Sequence, residues 1–263
     1  MKFTGRPGTI RTKESMHRNW VLPYLADDGS DLDEALAVWE GELQPVTIKA
    51  LLYIAKEHVK ARSGVDLDIK PHVKRLGRAK QQTPPKALTR AELTALSACI
   101  PKDDPLYLPF WIGRETGMRR GEVWGLRWED FDMFKNRILV QRSYDGETKS
   151  GKSRYVPISC ALEKVVVAQP EFISYNKSKK RRISNVIPSV FDPNPSLKRY
   201  CREAGISTIT FHALRHSWAT LALDAGRSPL LVSKVLGHSS VSTTLDIYWS
   251  ATGERLDMGF LDD

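Results

Sequence analysis

The sequence predicts a mainly α-helical protein of two domains, with a small antiparallel β-sheet in the second. Three observations carry that expectation. Apolar residues recur at helical spacing over most of the 263 residues. The stretch RILVQRSYDGETKSGKSRYVPI breaks that spacing with two β-rich runs around Asp145 and Gly146, a turn-forming pair. A polar segment, QQTPPKALT at 81–89, separates the two regions, its paired prolines disfavouring helix before them.

Taken in order, helices are expected over 11–26 (Trp20, Leu22, Leu25), 31–41 (Leu32, Leu36, Trp39) and 45–62 (Ile48, Leu51, Leu52, Ala55, Val59), with a shorter one near 67–76. On pattern alone this region reads as a generic helical bundle. Thr89 and Glu92 form a T-x-x-E capping box that opens a new helix, TRAELTALSACI. The domains are therefore placed at 1–83 and 84–263. After the β region, which suits a hairpin or a three-stranded sheet, come a helix near 160–168, a polar and basic stretch around NKSKKRRISN at 176–185, and helices near 194–204, 210–225 and 228–236. No internal repeat is visible.

Composition narrows the function classes. The formal charge of +9 is shared: residues 1–85 carry 14 Lys+Arg against 11 Asp+Glu, and 86–263 carry 26 against 20. Such an excess suits a polyanion, because neutralising phosphates releases counterions; charge alone does not separate DNA from RNA or anionic lipid. No apolar run approaches the roughly 20 residues of a membrane span. The N-terminus lacks the apolar core of a secretory signal, so a cytoplasmic protein is expected. Cys99, Cys160 and Cys201 are too far apart for a CxxC metal unit and read as reduced, structural thiols. No P-loop and no acidic cluster of a two-metal nuclease is found.

The chemistry concentrates late in the chain. FHALRHSWAT at 211–220 and LGHSSVSTTLDIY at 236–248 supply histidines, an arginine and a tyrosine within 37 residues. These suit phosphoryl chemistry: a cation for phosphate oxygens, imidazoles to donate or accept hydrogen bonds, and a phenol able to attack phosphorus. A phenol with a pKa near 10 is a poor nucleophile without help from its neighbours. Further cations lie upstream in TGMRRGE at 116–122 and at Lys149 in SYDGETKSGKSRYVPI.

In this order, the residues resemble the tyrosine recombinase, or phage integrase, family over roughly the last two thirds of the chain. The resemblance implies a core-binding domain over 1–83 that clamps DNA, and a catalytic domain over 84–263. No extra domain is found before the core-binding region, so a separate arm-binding module is not expected. Tyr248 is the implied nucleophile, ten residues after His238. Arg119 and Arg215 match the two catalytic arginines that stabilise charge on the non-bridging oxygens, and Lys149 matches the lysine that protonates the leaving 5′ oxygen, with Lys152 a rival. His212 would bind phosphate or accept the tyrosine proton, and His238 would donate to a non-bridging oxygen.

Glu122, on the same helical face as Arg119, is expected to orient that guanidinium. Arg120, Lys152 and Arg154 are expected to contact DNA. His216 reads as a packing or capping residue. The tail at 249–263 is expected to dock on a neighbouring protomer or on its own domain.

The implied activity is site-specific breakage and rejoining of double-stranded DNA through a covalent 3′-phosphotyrosine, with no metal, nucleotide or other cofactor. The implied partners are DNA, a homotetrameric synapse and accessory DNA-bending proteins, with the protein associated with the nucleoid when bound. Integration or excision of a mobile element is the expected role. Dimer resolution uses the same chemistry, and a regulator that binds without cutting is the alternative from another class. KKRR at 179–182 reads as a solvated or phosphate-contacting loop rather than a nuclear signal or RNA-binding run.

Overall fold

The computed structural model describes residues 2–76, 87–148, 151–177 and 185–252. Lys149, the KKRR run and the tail beyond Thr252 lie outside them. The architecture is mainly α with small antiparallel sheets, as the sequence predicts, and the chain divides into compact units at Gln82 and Thr83.

Among the described residues the first unit has the α-helices α1 (Pro7–Met16), α2 (Leu32–Glu42), α3 (Pro45–Ser63) and α4 (Lys70–Arg75). Pro7 and Pro45 stand at helix starts, where a missing N–H costs nothing, and Gly64 ends α3 in the left-handed region at φ 76°. The helix expected over 11–26 begins earlier and ends as a π-helical turn at His17–Val21. That turn brings the Trp20 carbonyl to the indole of Trp39, which donates to it at 3.0 Å. Trp39, Leu36, Leu51, Leu52, Ala55 and Val59 form the buried centre, so the predicted apolar faces are the ones that pack. Within this core His58 is almost wholly buried and bridges His17 and Asp27.

In the second unit, α5 (Arg90–Cys99) opens with the predicted capping box, Thr89 accepting from the Glu92 amide while Glu92 accepts from Thr89. Next come α6 (Tyr107–Thr116), the short α7 (Arg120–Trp124) and a 3₁₀ turn at Trp128–Asp130. The strands are β1 (Phe131–Asp132), β2 (Arg137–Val140), β3 (Arg142–Ser143), β4 (Gly146–Glu147) and β5 (Arg154–Pro157).

Both expected β arrangements are present. β1, β2 and β5 form a three-stranded antiparallel sheet in that order, with Ile138 opposite Val156, and β3 and β4 form a separate hairpin in which Ser143 faces Gly146. Ile138 and Val140 alternate with less buried neighbours along β2, the period of a strand with one face on the core.

The remaining helices are α8 (Cys160–Val167), α9 (Pro170–Lys177), α10 (Asn194–Glu203), α11 (Phe211–Asp224), α12 (Pro229–Leu236) and α13 (Val241–Thr252). Phe110, Met118, Trp124, Trp128, Leu162, Leu197, Phe211 and Leu214 belong to one continuous core. At Gly113 of α6 a Cβ would stand 2.7 Å from the Phe211 ring, so the absence of a side chain lets α11 lie directly against α6. Ser217 of α11 also accepts a 2.8 Å hydrogen bond from the Leu88 amide. α11 is thereby fixed from both sides.

Candidate active site

The site is built on the carbonyl ends of two helices. α6 ends at Gly117 and α12 at Gly237, both left-handed, with φ of 62° and 69°. The last carbonyls of a helix lack intrahelical partners and carry partial negative charge, so they attract cations. Arg119 donates from Nη2 to the Gly237 carbonyl at 3.1 Å, Arg154 from Nε to the Val235 carbonyl at 2.7 Å, and Arg215 from Nη1 to the Gly117 carbonyl at 3.1 Å. Three guanidinium groups from distant parts of the chain converge in this way.

Glu122 is their shared counter-charge. It is 2% exposed and receives two parallel hydrogen bonds from Arg154, 2.9 and 2.7 Å long, together with Nη1 of Arg119 at 3.0 Å. Burial works to raise its pKa, but the hydrogen bonds and charge of Arg154, with those of Arg119, outweigh burial and hold it below the ordinary carboxylate value. The expected contact between Glu122 and Arg119 is present, by a different local geometry. Arg119 is the extended residue that precedes α7, and Glu122 is the third residue of that helix, reaching back to accept from the Arg119 amide at 2.9 Å.

Arg215 is 2% exposed. Its Nη2 is buried without a hydrogen-bond partner among the described residues. Desolvation and the nearby charges of Arg119 and Arg154 push its pKa down to about 9, against a smaller opposing pull from Glu122. The group stays charged at neutral pH, yet it is under-coordinated. His212, one turn earlier, lies exposed at the start of α11 with its ring edge-to-face against His216, centroids 4.8 Å apart. His216 is held below its ordinary pKa by burial and by Arg215, and its Nδ1 is buried without a hydrogen-bond partner among the described residues.

His238 follows the Gly237 cap. Its pKa is pushed down to about 4 by burial and then by Arg215 and Arg119, which keeps the imidazole neutral at physiological pH. Nδ1 lies 2.8 Å from the hydroxyl of Thr244 on α13. Tyr248 is partly exposed one helical turn beyond Thr244, while Ile247 packs against the Ala219, Val232 and Leu236 cluster and so fixes the rotation of α13.

Two expected DNA contacts stand on the surface: Arg120 is exposed and pairs loosely with Asp192 at 3.6 Å, and Lys152 is exposed, its carbonyl accepting from the Thr148 hydroxyl at 3.0 Å. The third is placed differently. Arg154 is turned inward, with Nε, Nη1 and Nη2 all engaged by the Val235 carbonyl and Glu122. Among the described residues no group of three or more His, Cys, Asp or Glu side chains is arranged to hold a metal ion.

Comparison with known proteins places the chain in a family. Residues 86–255 match the model of the phage integrase family. The chain belongs to that family. Relatives of this phage integrase family member include tyrosine recombinase XerA of Thermococcus kodakarensis, 34% identical over 65% of this chain and 60% of that protein. The ICEBs1 integrase of Bacillus subtilis is 29% identical over 60% of this chain and 48% of that protein. The chain thus spans about 60% of the length of the XerA protein it matches. Among solved structures, the Tn1549 transposon integrase in complex with a circular intermediate DNA superposes with a TM-score of 0.67 at 19% identity, over 98% of this chain and 94% of that one. At that identity the likeness is one of fold.

For a phage integrase family member, the part of the site that the sequence pattern misses is Arg154. No periodicity marks it. Its partners, Glu122 on α7 and the Val235 carbonyl on α12, are brought to it only by the fold.

Proposed function

We propose that this protein is a site-specific DNA recombinase whose Tyr248 attacks a DNA phosphodiester, forming a covalent 3′-phosphotyrosine and releasing a 5′-hydroxyl. The observation that carries the reading is the under-coordinated Arg215, buried beside Arg119 and the neutral His238. Fixed donors in a buried site stabilise the charge that grows on non-bridging oxygens in a pentavalent transition state. Arg119 and Arg215 supply guanidinium donors, His238 a neutral N–H, and His212 a further phosphate contact or the acceptor of the tyrosine proton. Lys149, by family resemblance, protonates the leaving 5′ oxygen. Reversal of the same steps by a 5′-hydroxyl reseals the strand, with the bond energy conserved in the phosphotyrosine.

The first unit, residues 1–82, serves as the DNA clamp, and Arg120 and Lys152 contact the backbone. The enzyme acts as a tetramer on two duplexes. Integration or excision of a mobile element is the proposed setting, supported by the likeness to the ICEBs1 and Tn1549 integrases. Dimer resolution, the Xer-like setting, is separated from it by substrate preference.

The test is covalent trapping on a nicked suicide substrate carrying the attachment site, in EDTA and without ATP. Wild type is expected to give an SDS-resistant adduct at a DNA 3′ end, and Tyr248→Phe none. Tight binding of a verified site with no adduct would instead identify a non-cleaving regulator.

A further inference from the structure

Thr244 is fully buried on α13, and its hydroxyl has His238 Nδ1 as its one hydrogen-bond partner among the described residues. Other helical threonines behave differently: Thr12, Thr94 and Thr116 each donate to the carbonyl four residues back. The hydroxyl of Thr244 must either give its hydrogen to Nδ1 or receive one from it. If it receives, its own hydrogen is stranded in a buried site without an acceptor, which is the costly arrangement. If it gives, both groups are satisfied and the single N–H of a neutral imidazole moves to Nε2.

We propose that Thr244 is a positioning residue that fixes His238 in the Nε2–H tautomer, so that Nε2 is a donor toward a phosphate oxygen. The inference rests on the recombinase reading for its purpose, though not for its geometry. Arg215, Arg119 and Arg154 disfavour the imidazolium, the only form that would carry both N–H groups regardless of Thr244. Because Thr244 lies one turn before Tyr248 on the same helix, the hydrogen bond also links donor preparation to the seating of α13. A helix displaced from its site would leave His238 without its tautomer partner.

The experiment is a long-range ¹H–¹⁵N correlation spectrum of the full chain labelled with ¹⁵N-histidine, with His238 assigned from the spectrum of His238→Gln. The covalent-adduct assay is run on the same samples. Wild type is expected to show the Nε2–H pattern. Thr244→Val is expected to show a tautomer mixture and adduct formation about tenfold slower, and Thr244→Ser to restore both.

An Nδ1–H pattern in wild type, or Thr244→Val with wild-type tautomer and rate, overturns the proposal. If Thr244→Val does not fold, Thr244→Ala takes its place, with the same tautomer mixture expected. The Nε2–H pattern in a protein that forms no adduct on its cognate site upholds the Thr244–His238 assignment and overturns the recombinase reading.

Discussion

Glu122 and Arg154 are joined by two hydrogen bonds of 2.9 and 2.7 Å between side chains that are 2% and 10% exposed. The pair links α7 to β5, and through the Val235 carbonyl to α12, so one ionic contact registers three elements around the site. Replacing Glu122 by Gln keeps the shape and removes the negative charge that Arg119 and Arg154 share. Breaking a buried pair from one side is strongly destabilising, so Glu122→Gln should lower unfolding stability by about 3 kcal/mol. Urea denaturation measures this. Because the folded carboxyl is held below its ordinary pKa, its contribution is present above the unfolded value near 4.5 and is lost as pH falls through the folded one. Wild type should therefore lose stability in that acid range, and Glu122→Gln should show less of that loss.

Arg215 presents the opposite balance. Its burial beside Arg119 and Arg154 is unfavourable in the absence of phosphate. Arg215→Met, similar in volume, is expected to leave the thermal midpoint unchanged or raised while slowing covalent-adduct formation by about 10²–10³-fold. Paired calorimetry and trapping would show it, and a large fall in the midpoint would contradict it.

His238 should titrate far from an ordinary histidine. A folded pKa near 4 against an unfolded value of 6.5 means that its contribution to stability is complete above 6.5 and is lost as pH falls toward 4. The Cε1–H resonance of His238 should accordingly hold its neutral position at pH 6 and move with a midpoint near 4. A midpoint near 6.5 would mean that neither burial nor the neighbouring arginines act on it.

Gly125 is needed for closeness rather than for unusual backbone angles, since its φ is −88°. A Cβ there would stand 2.7 Å from the Ser143 carbonyl carbon and 2.9 Å from the Tyr144 nitrogen. Both are backbone atoms and cannot rotate away. Gly125→Ala should push β3 off α7 and destabilise by roughly 1–3 kcal/mol, read as a shift in urea midpoint, whereas Gly41→Ala, with open space around it, should not.

Much of this arrangement was legible in the residues. Ile48, Leu51, Leu52, Ala55 and Val59 sit at helical spacing and pack as that spacing demands, and Thr89 with Glu92 caps as written. The motifs around Gly117 and Gly237 had a structural meaning that spacing did not reveal. Each glycine is a left-handed helix end whose exposed carbonyls receive an arginine.

The π turn at His17–Val21 escaped because π and α turns share nearly the same apolar spacing over five residues. The helices Tyr107–Thr116 and Pro170–Lys177 were not singled out, the first being apolar on most sides and the second running into a basic stretch. Arg154, expected as a DNA contact, is turned inward, and nothing in the local sequence marks it for burial. Its true neighbours, Glu122 and Val235, lie 32 and 81 residues away.

The depression of Arg215 to about 9 explains why the position holds a guanidinium. An ammonium starts lower, so the same burial and neighbouring like charges would bring it closer to losing its proton at physiological pH. Arginine has headroom that lysine lacks. A cavity dry enough to sharpen electrostatics and crowded with like charges can thus keep its cation only if that cation begins several pH units above its surroundings, and Arg215→Lys would convert a permanent charge into a titrating one.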